Sequence, residues 1–285
     1  KLNKLFKGRL SLAINIFQKK YKKKFLHQLI SSQLDVDRLD YLNRDSFYSG
    51  VNEGIINSDR IISMMNVYNN ELVIDYKGIY SIEKFIIARK LMYWQVYLHK
   101  TVLSAEHTLM KVLKRAKELS TQQNTIYTTP QFELFLSKKG KITQKFFETN
   151  NLLHHFSLLD DADILTCIKN WAQGKDKVLK ILSNTIIDRK LLKIKSINKR
   201  DIKNKLHKIQ NKAIKKLNIN RTDIDYLAFP ISIKNETYNF IEDEIKFLKK
   251  DNSLIKLSKI KKEFTINTRN SSIIKHYICY PEGCD

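Results

Sequence analysis

The sequence predicts a mainly α-helical protein with a small β-hairpin and a small α+β carboxyl-terminal region. Three observations lead there. Glycine and proline are scarce in the 285 residues, at seven and three, which favours helices joined by short connections. Residues 83–119 hold neither, and read as one or two long helices. After Arg221 the pattern changes to short alternating runs, "YLAFPISI", "YNFIEDEIKFLKKDNSLIKL" and "IIKHYICYP".

Residues 1–30 are basic with helical spacing, carrying Leu10, Leu12, Ile14, Ile16 and Phe17 among lysines. "HQLISSQLDVDRLDYLNRD" continues as helix with Leu34, Leu39 and Leu42 on its apolar side. Gly50 is placed to end it in a left-handed cap. Ser58-Asp59 look like N-cap residues before "RIISMMNVY". A hairpin is expected at residues 71–80, near Asn69-Asn70 and Lys77-Gly78. Ser81 can cap the following helix. "STQQNTIYTTPQ" reads as a linker containing Pro130. Residues 131–220 read as helical, with breaks near Gly140, Asn150 and Gly174, and Asp251-Asn252-Ser253 as a turn. The divisions follow: 1–120, a helical region at 121–220, and a tail at 221–285.

With 42% hydrophobic and 28% charged residues the chain reads as globular. Its formal charge of +23 suits a polyanion, but the lysines are dispersed. The basic stretches Lys19–Lys24 and Lys190–Lys216 lack the interleaved aromatics of a base-stacking platform. Nucleic acid is therefore a weakly supported partner. Three cysteines without a Cys-x-x-Cys pair argue against a disulfide framework and favour a cytoplasmic setting. No apolar run approaches the roughly 20 residues of a membrane span. Motifs of P-loops, zincins, nucleophile elbows and dinucleotide folds are absent.

Two constellations remain. No acid precedes Asp35, yet Asp35, Asp37, Asp40 and Asp45 follow within eleven residues, with Arg38 and Arg44. On a helix turning about 100° per residue, Tyr41 and Arg44 flank Asp37 closely and Asp45 lies about 80° away. This is either a salt-bridged surface or one arm of a metal site. In "ARKLMYWQVYLHK", Arg89, Tyr93, Tyr97 and Lys100 share a face of an ideal helix within about 80°. Cations suit phosphate and tyrosines can flank a sugar or base. An amphipathic helix with aromatic packing would show the same spacing.

In this order, "LDVDRLDYLNRDSFYSGV" and "GIYSIEKFIIARKLMYWQVYLHKTV" resemble the HD-domain phosphohydrolases of the deoxynucleoside-triphosphate triphosphohydrolase type. "LLDDADILTCIKNW", "IIDRKLLK" and "HYICYP" resemble downstream segments of the bacterial branch. The resemblance implies an HD-domain-like helical core, present here incompletely, and conversion of a dNTP to a deoxynucleoside plus triphosphate. It implies a homo-oligomer, with no membrane partner. It matches Asp37 to the distant Asp ligand of a divalent metal ion. Arg38 and Arg89 match phosphate contacts, Tyr41 and Asp45 the sugar, and Tyr93 and Tyr97 the nucleotide's border, with Lys100 on the same face. Some relatives carry histidine where Tyr93 stands, so their proton transfer is not implied. The family's other ligands are a His and a His-Asp pair. None of the seven histidines precedes an Asp. The chain therefore resembles the carboxyl-terminal part of a longer enzyme, which alone would neither hold the metal nor turn over. The alternatives are a non-catalytic nucleotide-binding or oligomerisation remnant, and a basic nucleic-acid-binding module.

Overall fold

The computed structural model describes residues 2–122, 125–149, 151–235, 243–260 and 273–285. Its chain forms two compact units, Lys1–His99 with Lys234–Ile273, and Lys100–Ile233 with Ile274–Asp285. Described residues are mainly helical, with a four-stranded and a three-stranded sheet.

In chain order the first unit begins with helices α1 (Leu2–Leu5), α2 (Ser11–Phe17), α3 (Lys24–Ile30), α4 (Val36–Ser49) and α5 (Ser58–Ser63). Strands β1 (Met65–Tyr68) and β2 (Glu71–Asp75) and helix α6 (Ile79–Met92) follow. α4 is the helix expected from the aspartate-rich stretch. Asp35 caps it by accepting from the Arg38 backbone N–H at 2.9 Å, and Gly50 ends it at φ 71°. Leu34, Leu39 and Leu42 are buried as their spacing requires. Asn57, one residue before the expected cap, caps α5 by accepting from Arg60 N–H at 2.9 Å.

The hairpin lies upstream of its expected position. β1 and β2 pair antiparallel with Tyr68 opposite Glu71. Asn69 and Asn70 are the two turn residues, at φ 50° and 66°. A two-residue turn of this kind needs left-handed backbone, which asparagine tolerates. Lys77-Gly78 instead lies in a single 3-10 turn leading into α6. β5 (Lys246–Leu248) then pairs parallel with β2, and β6 (Leu254–Lys256) antiparallel with β5. Asp251-Asn252-Ser253 is the expected turn, with Asp251 accepting from Ser253 N–H at 2.9 Å. Ile74, Ile82, Phe85, Met92 and Phe247 meet Leu42 in one buried cluster. Each such side chain contributes about 1.5–3 kcal/mol when fully removed from water.

Gly54 marks where this core tolerates no side chain. A Cβ there would lie 2.5 Å from Met92 Sδ and 2.9 Å from Ser46 Cβ. Overpacking of this kind costs about 1–3 kcal/mol. Gly54→Ala is expected to lower the urea midpoint at unchanged slope, as equilibrium unfolding followed by circular dichroism would show.

The second unit contains α7 (Lys100–Thr121), α8 (Pro130–Leu136), α9 (Gln144–Thr149), α10 (Leu152–Leu158), α11 (Asp161–Trp171), α12 (Lys177–Ile187) and α13 (Ile202–Leu217). Pro130 stands at the start of α8, where its missing N–H costs nothing. Strand β3 (Lys193–Ile197) interrupts the stretch read as helical, and pairs antiparallel with β7 (Ile273–Tyr280). β7 lies between β3 and β4 (Phe229–Asn235). Local lysine content hid β3, because its partner is some eighty residues away. The break near Asn150, the strand reading over 238–242 and part of the linker fall on residues outside those described. Val112, Ala116, Cys167, Ile168, Trp171, Leu182 and Ile278 belong to this unit's buried core.

Candidate functional site

The clustered aspartates separate into different tasks. Asp35 is buried and holds the α4 amino terminus, accepting also from the Arg38 guanidinium. Asp40 pairs with Arg44 at 3.0 Å on the exposed side of α4, an ordinary i, i+4 pair. Asp37 stands exposed in the first turn, with no hydrogen bond or ion pair among the described residues. Asp45 is half-buried and accepts from Tyr97 Oη at 2.6 Å. A surface salt-bridge reading thus fits Asp40 and fails for Asp45.

The second wall comes from the end of α6. Tyr93–Tyr97 is one π-helical turn, with Leu98 N–H donating to Tyr93 O at 2.7 Å. Such turns are rare and concentrate at functional sites. Tyr93 and Tyr97 sit edge to face at 5.2 Å, and Tyr97 meets Tyr41 likewise at 6.1 Å. Tyr41, Asp45, Tyr93 and Tyr97 line an open cavity of about 330 Å³. Burial first, and then the hydrogen bond to Asp45, push the Tyr97 hydroxyl pKa far up, so it remains a donor. Burial also raises Tyr41, with the Arg89 charge acting against it.

Two guanidinium groups belong to the same unit. Arg89 is 7% exposed, lies 5.8 Å from the Tyr93 ring centroid and donates to Gln33 Oε1 at 3.2 Å. Arg38 donates to the Asp35 carboxylate and to Ser32 O. The Nε of each is buried with no hydrogen-bond partner. A buried donor left unpaired costs about 1–3 kcal/mol.

The structure therefore brings Tyr41, Asp45, Tyr93 and Tyr97 into one cavity, with Arg89 against Tyr93. Lys100 is not among the residues that line this cavity. The π turn and the break at Leu98-His99 end the ideal helix on which that face was drawn, and Lys100 opens α7 in the second unit. Sequence reasoning gave no role to Gln33, which holds Arg89, or to Asp35, which holds Arg38. Asp35 was read within a continuing helix, whereas it caps a new one. Gln33 carries no signal, since its partner is 56 residues away.

No group of three or more His, Cys, Asp or Glu among the described residues could hold a metal ion. Asp37 offers one carboxylate, and a hard cation takes several oxygen ligands. These residues alone do not fit a divalent ion, so no chemical step is derived through one.

A mainly helical scaffold with small sheets carries this cleft. A phosphohydrolase from Bacteroides thetaiotaomicron VPI-5482 is 42% identical, with a TM-score of 0.87 over 98% of this chain and 69% of that one. Residues 56–146 match the HD associated region. The chain belongs to the HD superfamily of phosphohydrolases. A hypothetical protein from Aquifex aeolicus, 24% identical with a TM-score of 0.63, covers 94% of this chain and 60% of its own and shares the fold. The uncharacterized protein YwfO of Bacillus subtilis (strain 168) is 35% identical over 64% of this chain and 40% of its own length. The uncharacterized protein MG461 of Mycoplasma genitalium is 28% identical over 83% and 56%. The chain spans about half the length of these two curated relatives. No helix among the described residues is long and apolar enough to cross a membrane.

Proposed function

We propose that the first unit supplies the nucleotide-binding side of a dNTP phosphohydrolase, whose complete form releases a deoxynucleoside and triphosphate. The carrying observation is the 2.6 Å bond from Tyr97 Oη to Asp45 inside the tyrosine-lined cavity. Tyr97 holds one carboxylate oxygen and leaves lone pairs to accept from a sugar 3′-hydroxyl. Tyr41 and Tyr93 flank the sugar with apolar ring edges. Arg89 and Arg38 supply the cations for phosphate oxygens. Asp37 is the single ligand that these residues would offer to a divalent ion.

Calorimetry with a dNTP, its 2′,3′-dideoxy analogue and the ribonucleotide tests this reading. The dNTP is expected to bind at submillimolar concentration, and the dideoxy analogue about tenfold more weakly for loss of one hydrogen bond to a charged group. Asp45→Asn should remove that preference. Absence of dNTP binding at millimolar concentration, or equal affinity for both analogues, would overturn it.

A further inference from the structure

The second unit holds a charge cluster that plays no part in the nucleotide reading. Lys114, Lys117, Lys138 and Lys139 line one open cavity of about 430 Å³ with Thr121, Gly140 and a single carboxylate, Glu118. That volume is in the range of about 300–1,000 Å³ usual for small ligands. α7 supplies one wall, and the chain just beyond α8 supplies the other.

The two walls are tied together. Lys117 Nζ donates to the carbonyls of Phe135 and Lys138, each at 3.0 Å, and more weakly to Leu136 O at 3.4 Å. A cation at the end of α8 also faces that helix's negative pole. This clasp holds the residue after it, Lys139, on the cavity wall. Gly140 follows at φ 73°, a left-handed conformation that turns the chain.

The other cations are placed but not neutralised. Lys114 Nζ lies 5.6 Å from the Tyr226 ring centroid, and Lys138 Nζ 4.2 Å from that of Phe146. Aromatic faces orient an ammonium group without consuming its charge. Lys139 has no hydrogen bond or ion pair among the described residues. Glu118 already faces Arg115 at 3.8 Å. A concavity with four positive charges and one shared negative focuses an attractive field for anions. Four lysines from two segments converge here on one volume.

We propose that this cavity binds a compact free oligophosphate through Lys114, Lys138 and Lys139. A chain of linked phosphates spreads its charge over the distance between the two walls, and Lys117 holds that distance constant.

Titration calorimetry of the full chain with sodium tripolyphosphate tests the proposal. Wild type is expected to bind it in a salt-dependent manner, and orthophosphate at least tenfold more weakly. Lys114→Ala/Lys139→Ala should lose one equivalent of bound tripolyphosphate at an unchanged melting temperature. Lys114→Arg/Lys139→Arg should keep it. A nucleoside triphosphate that binds here no more tightly than tripolyphosphate identifies the free anion as sufficient. Three results would each overturn the proposal: no tripolyphosphate binding, an unchanged equivalence in the alanine variant, or occupation only by a nucleotide or a single-stranded oligonucleotide. Asp45→Asn serves as the control, since it touches the first unit's cavity and should leave this equivalent intact.

Discussion

Replacing Arg89 by methionine is expected to lower dNTP affinity by about 100-fold while leaving the unliganded chain as stable as before or slightly more so. The two effects have different origins. Arg89 is buried, its Nε has no partner, and it donates to the neutral Gln33. Exchanging a buried, incompletely paired cation for an apolar side chain of similar length is often neutral or stabilising. Losing a charge-assisted contact to a phosphate costs about 2–5 kcal/mol of binding. Calorimetry with a dNTP, beside a thermal melt without ligand, separates the two. A large fall in melting temperature together with unchanged affinity would make Arg89 a structural residue and remove the principal phosphate contact from the proposed site.

The opposite behaviour is expected at Arg115 in the second unit. Its guanidinium donates to Asp176 at 2.7 Å and to Asp223 at 3.2 Å. All three side chains are mostly buried, at 18%, 21% and 19% exposure. Asp176 also caps α12 by accepting from Leu179 N–H at 2.7 Å. Arg115→Ala would leave two poorly solvated carboxylates facing each other's element without their counter-ion, a loss of about 3–5 kcal/mol. Equilibrium denaturation would measure it. At Asp176, burial pushes the carboxyl pKa up, but Arg115 and the cap hydrogen bonds outweigh this and bring it below the ordinary value. The folded state therefore binds this proton less readily than the unfolded state. Its contribution is complete above the unfolded carboxylate pKa of about 4 and disappears as pH falls through the folded value. Wild type should lose stability over that acid window, and Arg115→Ala should show a smaller change there.

Both expectations rest on residues whose legibility differed. The body and end of α4 were readable from local signals, Leu39 and Leu42 at helical spacing and Gly50 after it, whereas its start was not: the pattern runs on from His27, and the chain breaks after Ile30 before Asp35 caps a new helix. The pairing of Tyr41 with Asp45 on one face follows from the same periodicity. The hairpin was recognised by its composition but displaced, since Asn69-Asn70 and Lys77-Gly78 are both turn-forming pairs. Register decided between them, with Met65 opposite Ile74 across the sheet. The π turn at Tyr93–Tyr97 was not readable, because one inserted residue in a helix leaves no mark in apolar spacing.

The sequence by itself determined the helical character, the end of α4 at Gly50, and the placing of carboxylate, phenol and guanidinium groups near one another along it. These depend on interactions within about one helical turn, which a linear pattern records. Only the tertiary structure decided which residues meet: Tyr97 on Asp45, Gln33 on Arg89, β5 on β2, and β3 on β7. Those meetings join segments from 52 to well over a hundred residues apart. They are selected by burial of a shared core and by hydrogen-bond satisfaction, neither of which is a property of any one segment.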